Sequence, residues 1–217
     1  MKWILIATLL AQADSPEAAF RKVEESITKA KGLSVTLTFY RTEKDSGRKI
    51  MEGSGRLLMK PAHKISWTTQ IANPPMNVRL LSDGTTIRVK MGEQLLPDQK
   101  VPQERGGPDE FALYFARMGC FPGGRSAVAG KGNPKESDEF QVSGVSLGER
   151  EPAVECLKYT LNVNKEGYLV KLWFDPKTLD LKKRAIVLPG GDTLTEIYQE
   201  WVTTADIPDD KFKLDSK

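Results

Sequence analysis

The strongest β-strand signal in this chain is the stretch Glu52-Gly53-Ser54-Gly55-Arg56-Leu57-Leu58-Met59-Lys60, followed after Pro61-Ala62 by His63-Lys64-Ile65-Ser66-Trp67-Thr68-Thr69. Apolar and polar residues alternate along both parts, as they do in a strand that shelters one face. Two more alternating segments, 77–81 and 86–90, flank Asp83-Gly84, a pair typical of a tight hairpin turn with positive φ angles. The four segments together predict an antiparallel meander with one apolar face and one wet face.

The N-terminus has the three parts of a secretory signal. Met1-Lys2 is a positive start, residues 3–11 are an apolar run, and Ala11-Gln12-Ala13 is a small-x-small cleavage site. As a helix the apolar run would reach only about 14 Å, under half the ~30 Å of a bilayer core, so it is too short to span a membrane. We therefore predict a signal peptide over residues 1–13 and a single exported domain over residues 14–217, with a buried N-terminal strand or helix as the alternative.

The rest of the chain predicts two helices and further strands. Ser15-Pro16-Glu17 has the residues of a helix start, and Phe20, Val23 and Ile27 follow at helical spacing. Residues 109–118 predict a short helix with a broad aromatic stripe, which must lie on something apolar because so short a helix is not stable alone in water. The remaining strands are predicted at 33–40, 139–147, 153–163, 168–174, 181–188 and 193–203.

Composition and charge narrow the class of function. Hydrophobic residues make up 39% and charged residues 28% of the chain, which is typical of a globular protein with a sizeable core. The formal net charge of +3 is too small to indicate a nucleic-acid partner, and no basic stripe is interleaved with aromatic residues. The run Lys182-Lys183-Arg184 predicts a solvated strand face, with a docking patch as the alternative.

The sequence offers little chemistry for an enzyme. Gly144-Val145-Ser146-Leu147-Gly148 fits the G-x-S-x-G pattern, but hydrolases of that type place their histidine after the serine, and the only histidine here is His63. A lone histidine cannot make a zinc site, which needs three or four clustered ligands. We therefore predict no catalytic group, cofactor or metal, and keep a hydrolase using Ser146 as a distant alternative.

The order and spacing of these segments resemble the LolA family, the periplasmic carriers of outer-membrane lipoproteins. The resemblance is carried by Glu52-Gly53-Ser54-Gly55-Arg56-Leu57, Lys60-Pro61, Ile65-Ser66-Trp67 and Leu81-Ser82-Asp83-Gly84. It continues near the C-terminus in Leu172-Trp173-Phe174-Asp175-Pro176-Lys177-Thr178-Leu179, Tyr198-Gln199-Glu200-Trp201 and Ile207-Pro208-Asp209-Asp210-Lys211-Phe212. The resemblance implies an α+β fold in which an unclosed antiparallel β-barrel carries an N-terminal helix and a short helical lid.

The resemblance also implies a function. LolA-like proteins take a lipoprotein from an inner-membrane transporter, hold its acyl chains in the barrel and pass it to an outer-membrane receptor, so we expect a periplasmic monomer. The implied lid is the helix with Phe111, Phe115 and Met118. Either Lys60 stands where the family has the arginine that latches the lid, or that arginine has been lost to a one-residue deletion. The residues expected to line the lipid-binding cavity are Leu37, Phe39, Leu57, Met59, Ile65, Trp67, Val78, Leu80, Leu172 and Phe174.

The sequence leaves open whether the protein is a carrier or a sensor, and whether its two cysteines pair. The resemblance implies as the main alternative function a lipid-sensing interaction module, since the same fold serves in this way in regulators of envelope stress. The end of the chain at Lys217, directly after the predicted fold, favours a free carrier. Cys120 and Cys156 could form a disulfide in an oxidising compartment and pin one end of the lid, or could remain two buried thiols.

Overall fold

The computed structural model describes residues 15–101, 110–120, 141–149, 151–163 and 166–214. The predicted signal peptide lies outside these ranges. The described elements are, in chain order, α1 (Pro16–Thr28), β1 (Leu33–Thr42), β2 (Lys49–Lys60), β3 (Lys64–Ile71), β4 (Met76–Asp83), β5 (Thr86–Met91), β6 (Gln94–Leu95), β7 (Gln99–Lys100), α2 (Glu110–Met118), β8 (Gln141–Leu147), β9 (Glu155–Val163), β10 (Glu166–Phe174), β11 (Leu181–Val187), β12 (Thr193–Val202) and a 3-10 helix (Asp209–Phe212).

The twelve described strands form one antiparallel sheet. Their spatial order is β6-β5-β4-β3-β2-β1-β12-β11-β10-β9-β8, and β7 pairs with β5. The two halves of the sheet meet where β1 pairs with β2 on one side and with β12 on the other. Within the described ranges no ladder joins β8 to β6 or β7, so the sheet stays unclosed. This confirms the predicted fold class, an α+β protein built on an unclosed antiparallel β-barrel.

Helix α1 forms where the sequence predicts it and covers part of the apolar face. The side-chain oxygen of Ser15 accepts a hydrogen bond from the Ala18 N–H at 3.2 Å, which caps the helix, and Pro16 occupies the first turn. Phe20, Val23 and Ile27 are buried in the same core cluster as the strand side chains. This apolar stripe holds α1 against the sheet, because a helix of 13 residues is marginal alone.

The glycines of the Gly53-Ser54-Gly55 motif make room for two aromatic rings. A β-carbon on Gly53 would lie 2.5 Å from Cζ of Phe39, and one on Gly55 would lie 2.4 Å from Cη2 of Trp67. Both distances are below any normal carbon contact, so the rings lie directly across the backbone of β2. The motif therefore lets large side chains from the neighbouring strands lie flat on the apolar face.

Two turns differ from the simple hairpin expected of the sequence. At the β4–β5 turn only Gly84 has a positive φ, of 96°, whereas Asp83 ends β4 and its Oδ1 accepts the backbone N–H groups of Thr85 and Thr86, each at 2.8 Å. The prediction of two positive φ angles there was wrong, because the aspartate side chain replaces one of them with an Asx turn. At the β2–β3 turn the residues with positive φ are Ala62 at 63° and His63 at 58°.

Candidate functional site

The apolar face of the sheet is the core of the molecule, and nearly all of the predicted cavity residues lie in it. Strand alternation places them on this face, and on β1 both Leu37 and Phe39 follow the register shift in the pairing with β12 between Thr36 and Leu37. Val78 is the exception: it shares the face with Leu80 but is only half-buried, opposite Met91 of β5. The predicted residues found buried in the core cluster are Leu37, Phe39, Leu57, Met59, Ile65, Trp67, Leu80, Leu172 and Phe174.

Helix α2 lies on this face, as the aromatic stripe predicts. Phe115 and Met118 are buried, and Phe111 is half-buried against the same core. The ring of Phe115 stacks on Trp201 with 5.8 Å between centroids and an angle of 19°. The side chains of α1, α2 and the sheet fill most of the space between them. The structure is therefore the closed form, with α2 packed on the apolar face.

A fully buried arginine binds the end of α2. Nη1 of Arg184, on β11, donates to the carbonyl oxygen of Phe115 at 3.0 Å, and Nη2 donates to that of Ala116 at 2.8 Å. These carbonyls belong to the last turn of α2, where the helix dipole is negative and backbone acceptors are only partly used: that of Phe115 also accepts the Gly119 N–H at 2.9 Å. The guanidinium therefore satisfies the helix end with both hydrogen bonds and charge.

Glu196, on β12, balances the charge of Arg184 and binds the residue after the helix. Its Oε2 lies 3.6 Å from Nη1 of Arg184 and accepts the hydroxyl of Tyr198, and its Oε1 accepts the Cys120 N–H at 2.8 Å. Gly119, at a φ of 82°, has no room for a side chain, since a β-carbon would lie 2.2 Å from Oε2 of Glu196. Burial, with a contribution from Glu196, raises the pKa of the Cys120 thiol well above its usual range.

Two further contacts tie the same end of α2 to the rest of the core. The Tyr159 hydroxyl donates to the carbonyl oxygen of Arg117 at 2.5 Å, and burial raises the pKa of Tyr159 to about 12. Nε of Arg117 donates to Oε1 of Glu24, on α1, at 2.6 Å. Together with the contacts of Arg184 and Glu196, these bonds attach the C-terminal end of α2 to three strands and to α1.

Next to the other end of α2 the structure has a pocket of about 300 Å³. It lies where the β2–β3 turn, the end of α1 and the first turn of α2 come together. The turn contributes Lys60, His63 and Lys64. Of the predicted cavity residues only Met59 and Ile65 line this pocket, and the others lie deeper in the core. The apolar residues of its wall are Ile27, Ala30, Leu33, Met59, Pro61, Ala62, Ile65 and Ala112.

The predicted lid latch at Lys60 is wrong. The Lys60 ammonium donates to the carbonyl oxygen of Ile207 at 3.0 Å and to Oδ1 of Asp209 at 2.9 Å, beside the C-terminal 3-10 helix. The reason is strand alternation: Met59 faces the core, so its neighbour Lys60 points to the opposite face. Arg184, predicted to lie on a solvated strand face, binds the carbonyl oxygens of α2 instead.

Of the two alternatives for the cysteines, the structure shows two free thiols, Cys120 half-buried and Cys156 buried, rather than a disulfide. Cys120 packs against the core cluster beside Glu196. Cys156 precedes Leu157, which is fully buried in that cluster, so Cys156 points to the opposite face of β9, where it is paired in register with Trp173. Two side chains on opposite faces of one sheet cannot meet at disulfide distance.

The structure brings no catalytic group together at Ser146. The serine lies on β8, an edge strand of the antiparallel sheet, and its hydroxyl donates to the carbonyl oxygen of Lys158 at 3.5 Å. His63 lies on the β2–β3 turn. Within the described ranges no three His, Cys, Asp or Glu side chains gather in a way that could hold a metal ion. None of the described helices is long and apolar enough to cross a membrane.

Comparison with known proteins gives matches at the level of structure. No protein-family model matches the chain, and no curated protein sequence does. The chain is similar to the LolA superfamily protein NE2245 from Nitrosomonas europaea, with a TM-score of 0.40 and 12% identity over 93% of this chain and 99% of that one. It is also similar to LprF from Mycobacterium bovis, with a TM-score of 0.44 and 11% identity over 89% of this chain and 95% of that one. At these TM-scores the likeness carries no weight for function, which has to come from the residues of this chain.

Proposed function

We propose that this protein binds the acyl chains of lipoproteins between its sheet and α2, and carries lipoproteins through the periplasm toward the outer membrane. The observation that carries the proposal is the pocket of about 300 Å³, which opens at the edge of an apolar interior covered by a short helix. The resemblance of the sequence to the LolA family supports the same function. An inner-membrane transporter that supplies the cargo and an outer-membrane receptor that accepts it belong to this proposal.

The pocket is smaller than one acyl chain, so part of the protein must move when the chain binds. A methylene group occupies roughly the 30 Å³ of a water molecule in the liquid, so the pocket holds on the order of ten methylenes. One acyl chain of a lipoprotein is longer, and the remainder has to displace side chains of α2 from the core. Ala112 lines the pocket at the first turn of α2, whereas Arg184 and Glu196 bind the opposite end. We infer that α2 lifts at its N-terminal end and pivots about this buried attachment.

The energies suit a carrier that must also release its cargo. Burying ten methylenes gains about 8 kcal/mol at ~0.8 kcal/mol each. Lifting Phe111 and Tyr114 from the core offsets part of this gain, because each loses apolar contacts that the acyl chain replaces. The resulting net affinity is lower than the gross burial implies, which allows handover to a receptor.

Two measurements test this function. The mature protein is purified from its native envelope without detergent exchange, and its extract is examined by mass spectrometry for triacylated lipoprotein. Binding of a synthetic triacylated lipopeptide is then compared with that of the same peptide without acyl chains. An empty protein from the envelope together with equal binding of both peptides would contradict the proposal. An empty protein held by a membrane regulator would instead support lipid sensing.

A matched pair of variants ties the binding to the pocket. Ala112→Phe fills the pocket from its wall and should weaken lipopeptide binding at least tenfold. Ala72→Phe adds the same ring at an exposed position of the β3–β4 turn and should leave binding unchanged. Equal affinity in the two variants would place the acyl chains elsewhere.

A further inference from the structure

The core face of the sheet carries an indole donor that lacks an acceptor. Trp201, on β12, is paired in register with Val35 of β1 and packs against the core cluster. Its Nε1 is buried and has no hydrogen-bond partner among the described residues. A buried donor without an acceptor costs free energy, and for this reason such groups are rare in folded proteins. A bound molecule can supply the acceptor.

This donor lies just inside the pocket, under α2. Leu33 lines the pocket, and Val35, which is paired with Trp201, is the next core-facing residue of the same strand. The ring of Trp201 stacks on Phe115, which follows the pocket residue Ala112 by one turn of α2. A chain that passes from the pocket into the space under α2 therefore runs beside the indole.

The ring is fixed before any ligand arrives. Besides its stack on Phe115 it lies edge-on to Tyr198, with 5.3 Å between centroids and an angle of 76°. Phe115 belongs to the end of α2 that Arg184 holds, so it should stay in place when the opposite end lifts. The hydroxyl of Tyr198 donates to Glu196 and is held there. A donor that is already held in place loses little conformational entropy when it binds a ligand.

We propose that Nε1 of Trp201 donates a hydrogen bond to the carbonyl oxygen of the bound acyl group. An indole N–H can only donate, so its partner in the ligand must be an acceptor. The acyl carbonyl of a lipid is a good acceptor without charge, whereas a charged head group is costly to bury in an apolar interior. The protein therefore prefers chains joined through an ester or an amide to ether-linked chains, which have no carbonyl.

This inference rests on the proposed function and adds a preference for a carbonyl at the same site. Two lipids with the same zwitterionic head group and chain length test it: dioctanoylphosphatidylcholine, which has two esters, and its dioctyl ether analogue. Binding to the full mature chain is measured by titration calorimetry below the micelle concentration. We expect the ester lipid to bind about tenfold more tightly, as one net hydrogen bond of about 1.4 kcal/mol implies.

Two tryptophan variants test which donor provides the preference. Trp201→Phe keeps an aromatic ring against Phe115 but removes the donor, so the ester lipid should lose about tenfold in affinity and the ether lipid should stay within about twofold of wild type. Trp173→Phe is the matched control and should keep the preference. The Nε1 of Trp173 is likewise buried without a partner in the described ranges, but on the opposite face of the sheet.

A spectroscopic signal reports the same hydrogen bond in the wild-type protein. The NMR signal of the Trp201 Nε1–H is identified by its loss in Trp201→Phe. It should move downfield when the ester lipid binds and should move much less with the ether lipid, because a hydrogen bond to a carbonyl deshields the proton.

The outcomes separate the inference from the proposed function. Equal binding of the two lipids to the wild-type protein overturns the inference while leaving acyl binding in place. A preference that survives in Trp201→Phe, or that is lost equally in Trp173→Phe, also overturns it. If neither lipid binds the wild-type protein, the proposed function is itself wrong and the inference falls with it.

Discussion

Replacing Arg184 by methionine tests whether the buried guanidinium holds α2 on the sheet. In the wild-type protein it donates to the carbonyl oxygens of Phe115 and Ala116 at 3.0 and 2.8 Å, and it lies 3.6 Å from the carboxylate of Glu196. Methionine keeps an unbranched apolar stem but has no donors. The substitution therefore leaves a buried carboxylate without its partner and removes one hydrogen bond from each of two helix-end carbonyls, although that of Phe115 still accepts the Gly119 N–H at 2.9 Å.

The expected fall in the free energy of unfolding is the sum of these three lost interactions. Removing one partner of a buried ion pair costs about 3–5 kcal/mol, because the other charge stays in the interior. Each lost hydrogen bond to a carbonyl adds about 1 kcal/mol. Glu196 still binds the Cys120 N–H and the Tyr198 hydroxyl and can take up a proton, which offsets part of the loss. We expect the free energy of unfolding to fall by about 4 kcal/mol, a large share of the ~5–15 kcal/mol typical of a domain.

Urea unfolding followed by circular dichroism measures the free energy, and hydrogen exchange shows where stability is lost. The amides of α2 should exchange faster in Arg184→Met, whereas those of the β1–β2 ladder should keep their protection relative to global unfolding. The double variant Arg184→Met/Glu196→Gln should recover about half of the loss, because it removes the stranded charge. Arg56→Met, at an exposed position of β2, is the matched control and should shift stability by less than about 0.5 kcal/mol.

Two results would refute this reasoning. An Arg184→Met protein with wild-type stability and wild-type exchange in α2 would mean that the hydrogen bonds to the helix end do not hold it. A double variant less stable than Arg184→Met would mean that Glu196 acts on its own rather than as the partner of the guanidinium.

Three further outcomes follow from other parts of the structure. Gly55→Ala would place a carbon 2.4 Å from the indole ring of Trp67. It should lower the free energy of unfolding, measured with urea, by about 1–3 kcal/mol. In the control Gly167→Ala the nearest atom would be 3.6 Å away, and the free energy should stay within about 0.5 kcal/mol of wild type. The pKa of Asp209 is lowered from 3.8 to about 2 by its two lysines, so its contribution to stability is complete above pH ~4 and is lost as the pH falls through about 2. The difference in thermal midpoint between wild type and Asp209→Asn should therefore be present at pH 5 and vanish near pH 2. Cys120 and Cys156 should both react with a thiol-blocking reagent in denaturant without reductant, with no change of gel migration when reductant is added.

Each of these has a result that counts against the structure. A Gly55→Ala protein as stable as the Gly167→Ala control would mean that the ring does not lie on β2. A midpoint difference for Asp209→Asn that persists unchanged at pH 2 would show that its lysine contacts do not matter for stability. A protein with no reactive thiol before reduction would restore the disulfide that the strand directions exclude.

The meander and the covering helix could be predicted from the sequence because local patterns carry them. Alternation in β2 and β3 places Leu57, Met59, Ile65 and Trp67 on one face, and a shift of one residue would have moved all of them at once. The aromatic stripe of α2 likewise needs an apolar surface, and the core face of the described sheet provides it. In both cases the periodic spacing of apolar residues determines which face of the element is buried.

The buried polar attachment could not be predicted in this way. A lysine- and arginine-rich strand normally faces water, and Arg184 is buried only because Phe115, Ala116 and Glu196 meet its guanidinium from distant parts of the chain. Arg184 is two residues before the apolar Ile186, so strand alternation puts both side chains on the same, buried face. This spacing was the signal in the sequence that Arg184 is buried. The same alternation would have shown that Lys60 faces away from the lid.

The pocket could not be predicted from the sequence, because it forms between elements that only the tertiary structure brings together. Its wall joins the end of α1, the β2–β3 turn and the first turn of α2, which are far apart in the chain. The wider prediction that the interior residues bind lipid stays a prediction, since the structure shows those side chains packed under the helices.

An acyl chain that enters the space between α2 and the sheet must come close to Trp67, and tryptophan quenching detects this contact. Trp67 lies on the core face of β3, whereas Trp173 is on the opposite face of β10, beneath the ammonium of Lys183 at 4.3 Å. Two variants each keep one of these tryptophans and carry phenylalanine at the other tryptophan positions. Each is titrated with a fatty acid brominated near the end of its chain, because bromine quenches indole fluorescence only on contact.

We expect saturable quenching of Trp67 and none of Trp173, with Ala112→Phe abolishing the quenching of Trp67. Quenching of Trp173 alone, or of both rings to the same extent, would place the acyl chain on the outside of the sheet and contradict it.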